Sequence, residues 1–344
     1  MRDGCKGIEF PDVTESADSI IDAIIKGSPS HTAGTRPIHA PGMLVSGRFQ
    51  PSEVASTFTD AAHFSGPPVP VTARFSSGTG SMDVPDSEPL VRGMAVKFHL
   101  GQAGLAGDVV DMVAMTLPVF FTPTMASFMD FLGAIRYEPG PPPSTGRLGK
   151  LRNVLRLLPE PSRPLGRSEV AAIGFADKYP PSRRSVLALT ALGLPQSFVT
   201  CTYHAVHAFV LRAGGHPTAV RFRWEPAAGV RPAPEKTKGN YLQEELRDRL
   251  ARGPAEFVLR MQVAEHGDDT SDPTRPWPET RRRVVMGHLR IDSPVTDQVD
   301  GNERLTFDPT RLVPGIEVGD DPILLARREV YQRSFARRLA HSPG

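Results

Sequence analysis

An arginine and a tyrosine near the C-terminus have a spacing that can hold an anionic metal ligand. Arg327 precedes Tyr331 by four residues, and on a helix two such positions share one face. A fixed guanidinium charge beside a phenol favours the phenolate form. Phenolate oxygen is a hard anionic ligand that suits ferric iron. The same spacing also occurs in ordinary surface pairs, so it indicates an iron site only together with other features of the chain.

Short motifs accompany this pair in a fixed order along the chain. They are Arg36–Gly42, Arg74–Ser76, Val91–Phe98, Asp111–Val113, Pro118–Phe121, Tyr203–Phe209, Asp272–Pro278 and Leu312–Glu317. In composition and order they resemble the signature segments of the haem catalase family, from about residue 36 to about residue 338. Because no segment matches the helical and C-terminal domains of large catalases, the chain resembles the small catalase-related peroxidase branch in particular.

The resemblance implies catalytic roles for three residues. His39 stands where the family has its distal histidine, a base that moves a proton from the inner to the outer peroxide oxygen. The hydroxyl of Ser76 would accept a hydrogen bond from His39 Nδ1 and fix the ring tautomer. Met115, three residues before Pro118, occupies the position of the family's peroxide-binding asparagine. A thioether has no hydrogen-bond donor, so peroxide cleavage by His39 is expected with only weak dismutation of hydrogen peroxide.

The resemblance also implies which residues hold the cofactor, a ferric haem of the b type. Tyr331 would ligate the iron as a phenolate stabilised by Arg327. Forked guanidinium groups suit the haem propionates; the candidates are Arg36, Arg74 and Arg338, with Arg337 competing with Arg338. The pocket walls would be Val113, Phe121 and Phe128, although core packing explains the two phenylalanines equally well.

The elements that must position these residues are mostly strands. Runs rich in valine, phenylalanine and alternating polar residues predict two groups of four strands. They are Leu44–Phe49, Val69–Phe75, Met94–Leu100 and Asp108–Met115, then Val206–Arg212, Thr218–Trp224, Phe257–Ala264 and Val284–Ile291. Hairpin-like connections favour a closed eight-stranded antiparallel β-barrel. Because such a barrel has room only for side chains or one small ligand, the haem is expected against its outer wall.

Helices are predicted around the barrel. The first begins after Ser16, the predicted N-cap, and ends at Gly27. The others are Met125–Ile135, Arg147–Leu158, Asn240–Arg252 and the C-terminal tyrosine helix. The basic segment 147–158 has the pattern of an ordinary surface helix rather than of a membrane or partner contact.

These elements predict a single α+β domain over residues 1–344. It comprises an N-terminal helical arm (1–35), a barrel core with helical insertions (36–320) and the C-terminal helix (321–344). The net charge of +2 gives no reason to expect binding to nucleic acid.

The compartment is predicted from the cysteines and from the hydropathy pattern. Two cysteines far apart, Cys5 and Cys201, argue against a disulfide framework. With no signal-peptide pattern and no apolar run long enough for a bilayer, a cytoplasmic protein is expected.

The leading hypothesis is a haem-dependent peroxidase that reduces hydrogen peroxide or small organic hydroperoxides, using an electron donor that the sequence does not identify. A second hypothesis is isomerisation or dehydration of a fatty-acid hydroperoxide, as in the family's allene oxide synthase relatives. Those relatives have threonine immediately before the distal histidine, where this chain has Ile38. A third is a haem-binding protein without turnover, against which the retained His39 argues. Homo-oligomerisation stays open.

The remaining histidines are interpreted as structural. His204 and His207 are close in sequence, but on a strand their side chains point to opposite faces, which makes them a poor pair of metal ligands.

Overall fold

The computed structural model of the chain describes residues 16–28, 30–101, 109–135, 167–234, 237–298 and 304–341. Its strands are β1 (Gly42–Pro51), β2 (Val69–Ser77), β3 (Arg92–His99), β4 (Val109–Met115), β5 (Tyr203–Ala213), β6 (His216–Pro226), β7 (Ala255–Val263), β8 (Arg283–Pro294) and β9 (Ile316–Val318). Its α-helices are α1 (Ala17–Lys26), α2 (Met125–Ala134), α3 (Arg167–Lys178), α4 (Arg183–Thr190), α5 (Leu242–Arg252) and α6 (Pro322–His341). The helix predicted over residues 147–158 and the first part of the N-terminal arm lie outside the described residues.

The strands form one closed antiparallel barrel, which confirms the predicted fold class. The hydrogen-bonded order is β4-β3-β2-β1-β8-β7-β6-β5, and an additional pairing of β4 with β5 closes the ring. This last pairing places Met115 opposite His204. The short strand β9 adds to the outer edge of β5, with Phe209 opposite Val318. Closure leaves the eight main strands without an exposed edge.

Aromatic side chains fill the interior of the barrel. The rings of Phe49 and Phe98 meet edge to face with centroids 5.2 Å apart, and the ring of Trp224 meets Phe49 in the same way at 6.0 Å. All three side chains are fully buried. Edge-to-face contacts of this kind stabilise a densely packed core. A ligand as large as a haem therefore has to lie outside the barrel wall.

The N-terminal helix packs against the C-terminal helix outside the barrel. Ser16 caps α1 by accepting a hydrogen bond from the backbone N–H of Ser19 at 3.1 Å, and Gly27 forms the C-cap, as predicted. Asp18 then pairs with Arg333 at 2.8 Å and with Arg337 at 2.5 Å on α6. Ile20 and Ile21 of α1 are buried, so the apolar face of this helix is turned inward.

Two helices of the described chain were not predicted. Helices α3 and α4 pack with α2 into a second apolar cluster that contains Phe131, Ile173 and Val186. The buried positions of α3 include Ala172 and Ala176, which are too small to give a strong helical pattern of large apolar residues.

Most predicted strands agree with the observed ones to within a few residues. The largest difference that bears on function is at β5, which begins at Tyr203 rather than at Val206. The extension brings His204 into the barrel wall. Among the described residues, no helix is long and apolar enough to cross a membrane.

Candidate active site

A cavity of about 1420 Å³, including its mouth, lies between the outer barrel wall and helices α1, α2 and α6. All the residues that the sequence predicted for the site line it: Arg36, His39, Arg74, Ser76, Val113, Met115, Phe121, Phe128, Arg327, Tyr331 and Arg338. They are separated by up to 302 positions in the chain, so the fold brings them together.

His39 lies in the loop before β1, and its ring contacts strands β2 and β3. Its Nδ1 atom is 3.0 Å from the hydroxyl oxygen of Ser76 on β2. On β3, a Cβ atom at Gly93 would lie 2.8 Å from His39 Nδ1 and 2.8 Å from the Ser76 hydroxyl. Only glycine therefore leaves room for the imidazole against this strand. The geometry fits the predicted pairing of a histidine base with an orienting hydroxyl.

Burial keeps the His39 ring neutral. Its enclosure, followed by the positive charges of Arg74, Arg327 and other arginines, lowers the pKa of His39 to about 3. Removal from water disfavours the charged form, and nearby cations disfavour it further. At neutral pH the imidazole can therefore accept a proton.

Arg74 has a second contact that the sequence did not indicate. Its guanidinium donates to the backbone carbonyls of His39 and Ala40, at 2.8 and 2.9 Å. His39 has a φ of 59°, in the left-handed region that non-glycine residues rarely adopt. The buried guanidinium thus holds the strained loop that presents the imidazole. A Cβ atom at Gly42 would lie 2.5 Å from Arg74 Cζ, which explains a glycine there.

The opposite part of the cavity contains a chain of hydrogen bonds that ends at Tyr331. Arg327 donates to the Tyr331 hydroxyl oxygen at 2.5 Å and through its other terminal nitrogen to His207 Nε2 at 2.8 Å. His207 Nδ1 is 2.6 Å from a carboxylate oxygen of Asp321. The predicted Arg327–Tyr331 pair is therefore present and belongs to a longer network.

The proton positions in this network follow from the donor groups. A guanidinium can only donate, so His207 Nε2 accepts and His207 Nδ1–H donates to Asp321. Burial lowers the pKa of His207, which keeps the ring neutral. Asp321 also accepts from the backbone N–H groups of Ile323 and Leu324 and so caps α6. Asp321 thus orients His207, His207 orients Arg327, and Arg327 orients the Tyr331 phenol.

His207 and Asp321 were missed as functional residues. His207 was interpreted as structural, and Asp321 was not considered. The available signal was Asp321 before Pro322, because an aspartate N-cap with proline at the first helical position marks a helix start. The contact from β5 to α6 spans 114 positions and could not be read from local patterns.

Two further arginines, Arg36 and Arg338, line the cavity and share one backbone acceptor. Arg36 donates to the backbone oxygen of Leu305 at 2.8 Å, and Arg338 donates to it at 3.3 Å. Arg337, the competitor of Arg338, instead pairs with Asp18 and Asp22 of α1. The structure therefore places Arg338, and not Arg337, in the cavity wall.

The rest of the wall is apolar. Helix α1 contributes Ile20, Ile21 and Ile24. Phe121 and Phe128 line the cavity and also pack against the α2–α3–α4 cluster. Each phenylalanine therefore contacts both the cavity and the core cluster.

The donor set fits a haem rather than a bare metal ion. A phenol held by a guanidinium is a suitable axial ligand for ferric iron, and buried guanidinium groups suit propionates. The apolar walls suit the faces and edges of a large ring. Among the described residues, no cluster of three or more His, Cys, Asp or Glu side chains could hold a metal ion by itself.

The chain is similar to known proteins. The sequence profile of the family Catalase matches residues 30–143 and 157–342. The chain is 34% identical to a "Catalase-related peroxidase" of Mycolicibacterium paratuberculosis over 95% of this chain and 96% of that protein. A "Catalase-related peroxidase" of Synechococcus elongatus is 26% identical, over 97% and 92% of the two chains.

Larger proteins match over part of their length. "Catalase-2" of Bacillus subtilis is 27% identical over 88% of this chain but only 44% of its own. A solved bacterial catalase superimposes with a TM-score of 0.74 at 20% identity, over 98% of this chain and 63% of that one. This last likeness confirms the fold.

Proposed function

This chain belongs to the catalase family, and on that premise we propose that it is a haem-dependent peroxidase acting on hydrogen peroxide or small organic hydroperoxides. Its relatives named catalase-related peroxidase already establish the coarser statement that it is an oxidoreductase of the peroxidase and catalase kind. The haem, the preferred hydroperoxide and the small share of catalase turnover belong to the proposal.

One observation carries the proposal. A neutral imidazole fixed by Ser76 and a phenol fixed by Arg327 line the same apolar cavity. The imidazole would supply an acid–base group, and the phenol would supply an oxygen ligand for the iron of a haem. A protein that only stored haem would have no use for the first of these groups.

Tyr331, Arg36, Arg74 and Arg338 would hold the haem, the first at the iron and the arginines at the propionates. Bound there, haem would supply a redox-active ferric iron for cleavage of the peroxide oxygen–oxygen bond. Arg327 would hold the Tyr331 oxygen in position, because its guanidinium donates a hydrogen bond to that oxygen.

His39 would carry the proton during that cleavage. With Nδ1–H directed at Ser76, the Nε2 lone pair accepts the proton of the inner peroxide oxygen. The ring then returns this proton to the outer oxygen, which leaves as water or, from an organic hydroperoxide, as an alcohol. Positioned acid–base groups contribute about 10²–10⁴-fold to such steps.

Met115 supports peroxidase rather than catalase turnover. Its thioether lines the cavity but donates no hydrogen bond. A second peroxide, which dismutation requires as the reductant, would be poorly oriented beside it. An organic electron donor would then complete the cycle more efficiently.

Reconstitution with haem tests the proposal. The purified chain should take up one equivalent of haem, show a peroxide-dependent absorption change, and return to the starting spectrum when a phenolic donor is added. Oxygen release should be slow relative to oxidation of the donor. Met115→Asn should raise the ratio of oxygen release to donor oxidation at equal haem content. Unchanged absorption on mixing with peroxide would favour a haem-binding protein without turnover. Rapid oxygen release by the wild type would refute the role given to Met115.

A further inference from the structure

Four residues form a row across the barrel wall beneath His39. Successive strand pairings place Ser76 of β2 opposite Gly93 of β3, Gly93 opposite Met115 of β4, and Met115 opposite His204 of β5. Directly opposed residues of antiparallel strands have side chains on the same face. His204 therefore points to the same side of the wall as Ser76 and Met115, the side on which His39 lies.

His204 lies beside the thioether that replaces the family's asparagine. Cβ atoms of opposed residues are about 5 Å apart, and neighbouring strands are about 4.8 Å apart. The His204 imidazole is therefore two strands away from Gly93 and can reach the part of the cavity next to the Met115 side chain. Both His204 and Met115 line the active-site cavity. In the part of the chain that the structure describes, no hydrogen bond fixes the His204 ring.

The surroundings of His204 keep its ring neutral. Burial, followed by the charge of Arg223, lowers the pKa of His204 to about 4. A neutral imidazole has one N–H donor and one acceptor nitrogen. The ring also borders a second groove, which Arg223 and Arg260 line, so it forms the partition between this groove and the active-site cavity.

We propose that His204 donates the hydrogen bond to bound peroxide that Met115 cannot donate, from the adjacent strand instead of from the asparagine position. The inference rests on the proposed haem peroxidase function and adds a second imidazole to it. His39 moves the proton, whereas His204 orients the peroxide by its N–H group. One donor, in place of the two of an amide, suffices for the first peroxide but leaves the second weakly bound.

Fluoride binding to the haem-loaded ferric protein tests this role without turnover. Fluoride accepts hydrogen bonds at the position a peroxide would occupy, so its affinity reports the donors around that position. His204→Phe should weaken fluoride binding about tenfold, because one hydrogen bond to an anion is lost. His204→Gln keeps an N–H donor and should retain most of the affinity. His288→Phe is the matched control, since His288 is exposed on β8 and does not line the cavity.

A second variant separates a direct role from a structural one. Met115→Asn in the His204→Phe background should restore fluoride affinity and the rate of the peroxide-dependent absorption change, because it returns a donor to the neighbouring position. If His204→Phe binds fluoride as the wild type does, His204 donates no hydrogen bond to the bound anion and the inference is wrong. The proposed function would still stand. If His204→Phe weakens fluoride binding and neither Gln nor the Asn rescue restores it, the ring acts by packing, which also overturns the inference. A wild type that takes up no haem would refute both.

Discussion

His39 is one of ten histidines in the chain, and its surroundings distinguish it from the others. The ring lines the cavity, its backbone carbonyl accepts a hydrogen bond from Arg74, and its Nδ1 atom lies 3.0 Å from the Ser76 hydroxyl. Enclosure of the ring, followed by the charges of nearby arginines, lowers the pKa of His39 to about 3, and the Ser76 hydroxyl orients the ring. The motif Arg36–Gly42 was enough to identify His39 from the sequence. That its ring is neutral could be recognised only from the folded structure.

The first prediction concerns the pH dependence of peroxide cleavage. Because only the neutral ring accepts a proton, the rate of the first step should stay constant from neutral pH to mildly acidic pH. It should fall only as the pH approaches the His39 pKa of about 3. Stopped-flow mixing of the haem-loaded protein with peroxide across this range measures it. A rate that halves near pH 6.5, the ordinary histidine value, would contradict the burial argument.

The second prediction concerns Gly93. A methyl group there would lie 2.8 Å from the His39 ring and from the Ser76 hydroxyl, so Gly93→Ala should displace the imidazole. The rate of peroxide cleavage should fall by about 10-fold or more, since misplacement of a catalytic group is costly. Haem content should change little.

Gly133→Ala is the control for this substitution. Gly133 lies in α2, and nothing lies within 4 Å of a Cβ atom built there. Its rate should match the wild type. Equal rates in the Gly93 and Gly133 variants would show that the contact with His39 does not position the base.

At the scale of elements, α6 arranges the tyrosine side of the cavity. Arg327 follows the N-cap Asp321 by six residues and precedes Tyr331 by four. On β5, His207 lies between the Asp321 carboxylate and the Arg327 guanidinium. The i to i+4 spacing of Arg327 and Tyr331 was readable from the sequence because helix geometry fixes it. The connection to β5 was not readable, since it depends on how the helix docks.

The third prediction tests this arrangement on the helix. Arg327→Met should leave the Tyr331 oxygen without the guanidinium that donates to it, so haem should bind more weakly. We expect roughly tenfold faster loss of haem to an acceptor protein, as for one charge-assisted hydrogen bond. Arg328→Met, one position along on the exposed face of α6, serves as the control. Equal haem loss from both variants would show that the contact between Arg327 and Tyr331 does not support haem binding.

Prediction of the elements succeeded where side-chain periodicity was strong. The eight barrel strands and α1 with its Ser16 cap follow from alternating and helical patterns. Helices α3 and α4 gave weak patterns because small residues form much of the buried face of α3. The extension of β5 to Tyr203 depended on pairing with β4, which closes the barrel and is not a local property.

At the scale of the whole molecule, the barrel acts as a wall. Its interior is packed with aromatic side chains, so the large ligand site has to lie outside, where the two terminal helices cover it. Several histidines are enclosed in this architecture: His39, His63, His204 and His207. Burial lowers the pKa of each one, which ties the stability of the fold to pH.

The fourth prediction follows from these lowered pKa values. In the unfolded chain the histidines titrate near pH 6.5, whereas the folded chain keeps them neutral to much lower pH. Below pH 6.5 the unfolded state therefore binds more protons, and the free energy of unfolding should decrease as the pH falls toward 4. Urea unfolding at pH 7 and pH 5 measures this difference.

His63 provides a matched variant for that experiment. Its ring is buried between Phe64 and Phe98, at centroid distances of 4.2 and 4.8 Å, and burial lowers the pKa of His63 to about 3. Neither of its ring nitrogens has a hydrogen-bond partner among the described residues. His63→Leu should therefore lose less stability between pH 7 and pH 5 than the wild type. An identical loss in both proteins would show that His63 does not contribute to the acid sensitivity.

The most direct measurement of the central claim is the haem content and absorption spectrum of Tyr331→Phe beside the wild type. The wild type should hold one haem with a high-spin ferric spectrum, because the ligand that we propose for the iron is the oxygen of Tyr331. Tyr331→Phe should fold with the same β-sheet content but lose the haem or that spectrum. Tyr179→Phe, which removes an exposed hydroxyl bonded to Asp130, should behave as the wild type. A Tyr331→Phe protein with unchanged haem content and spectrum would contradict the account.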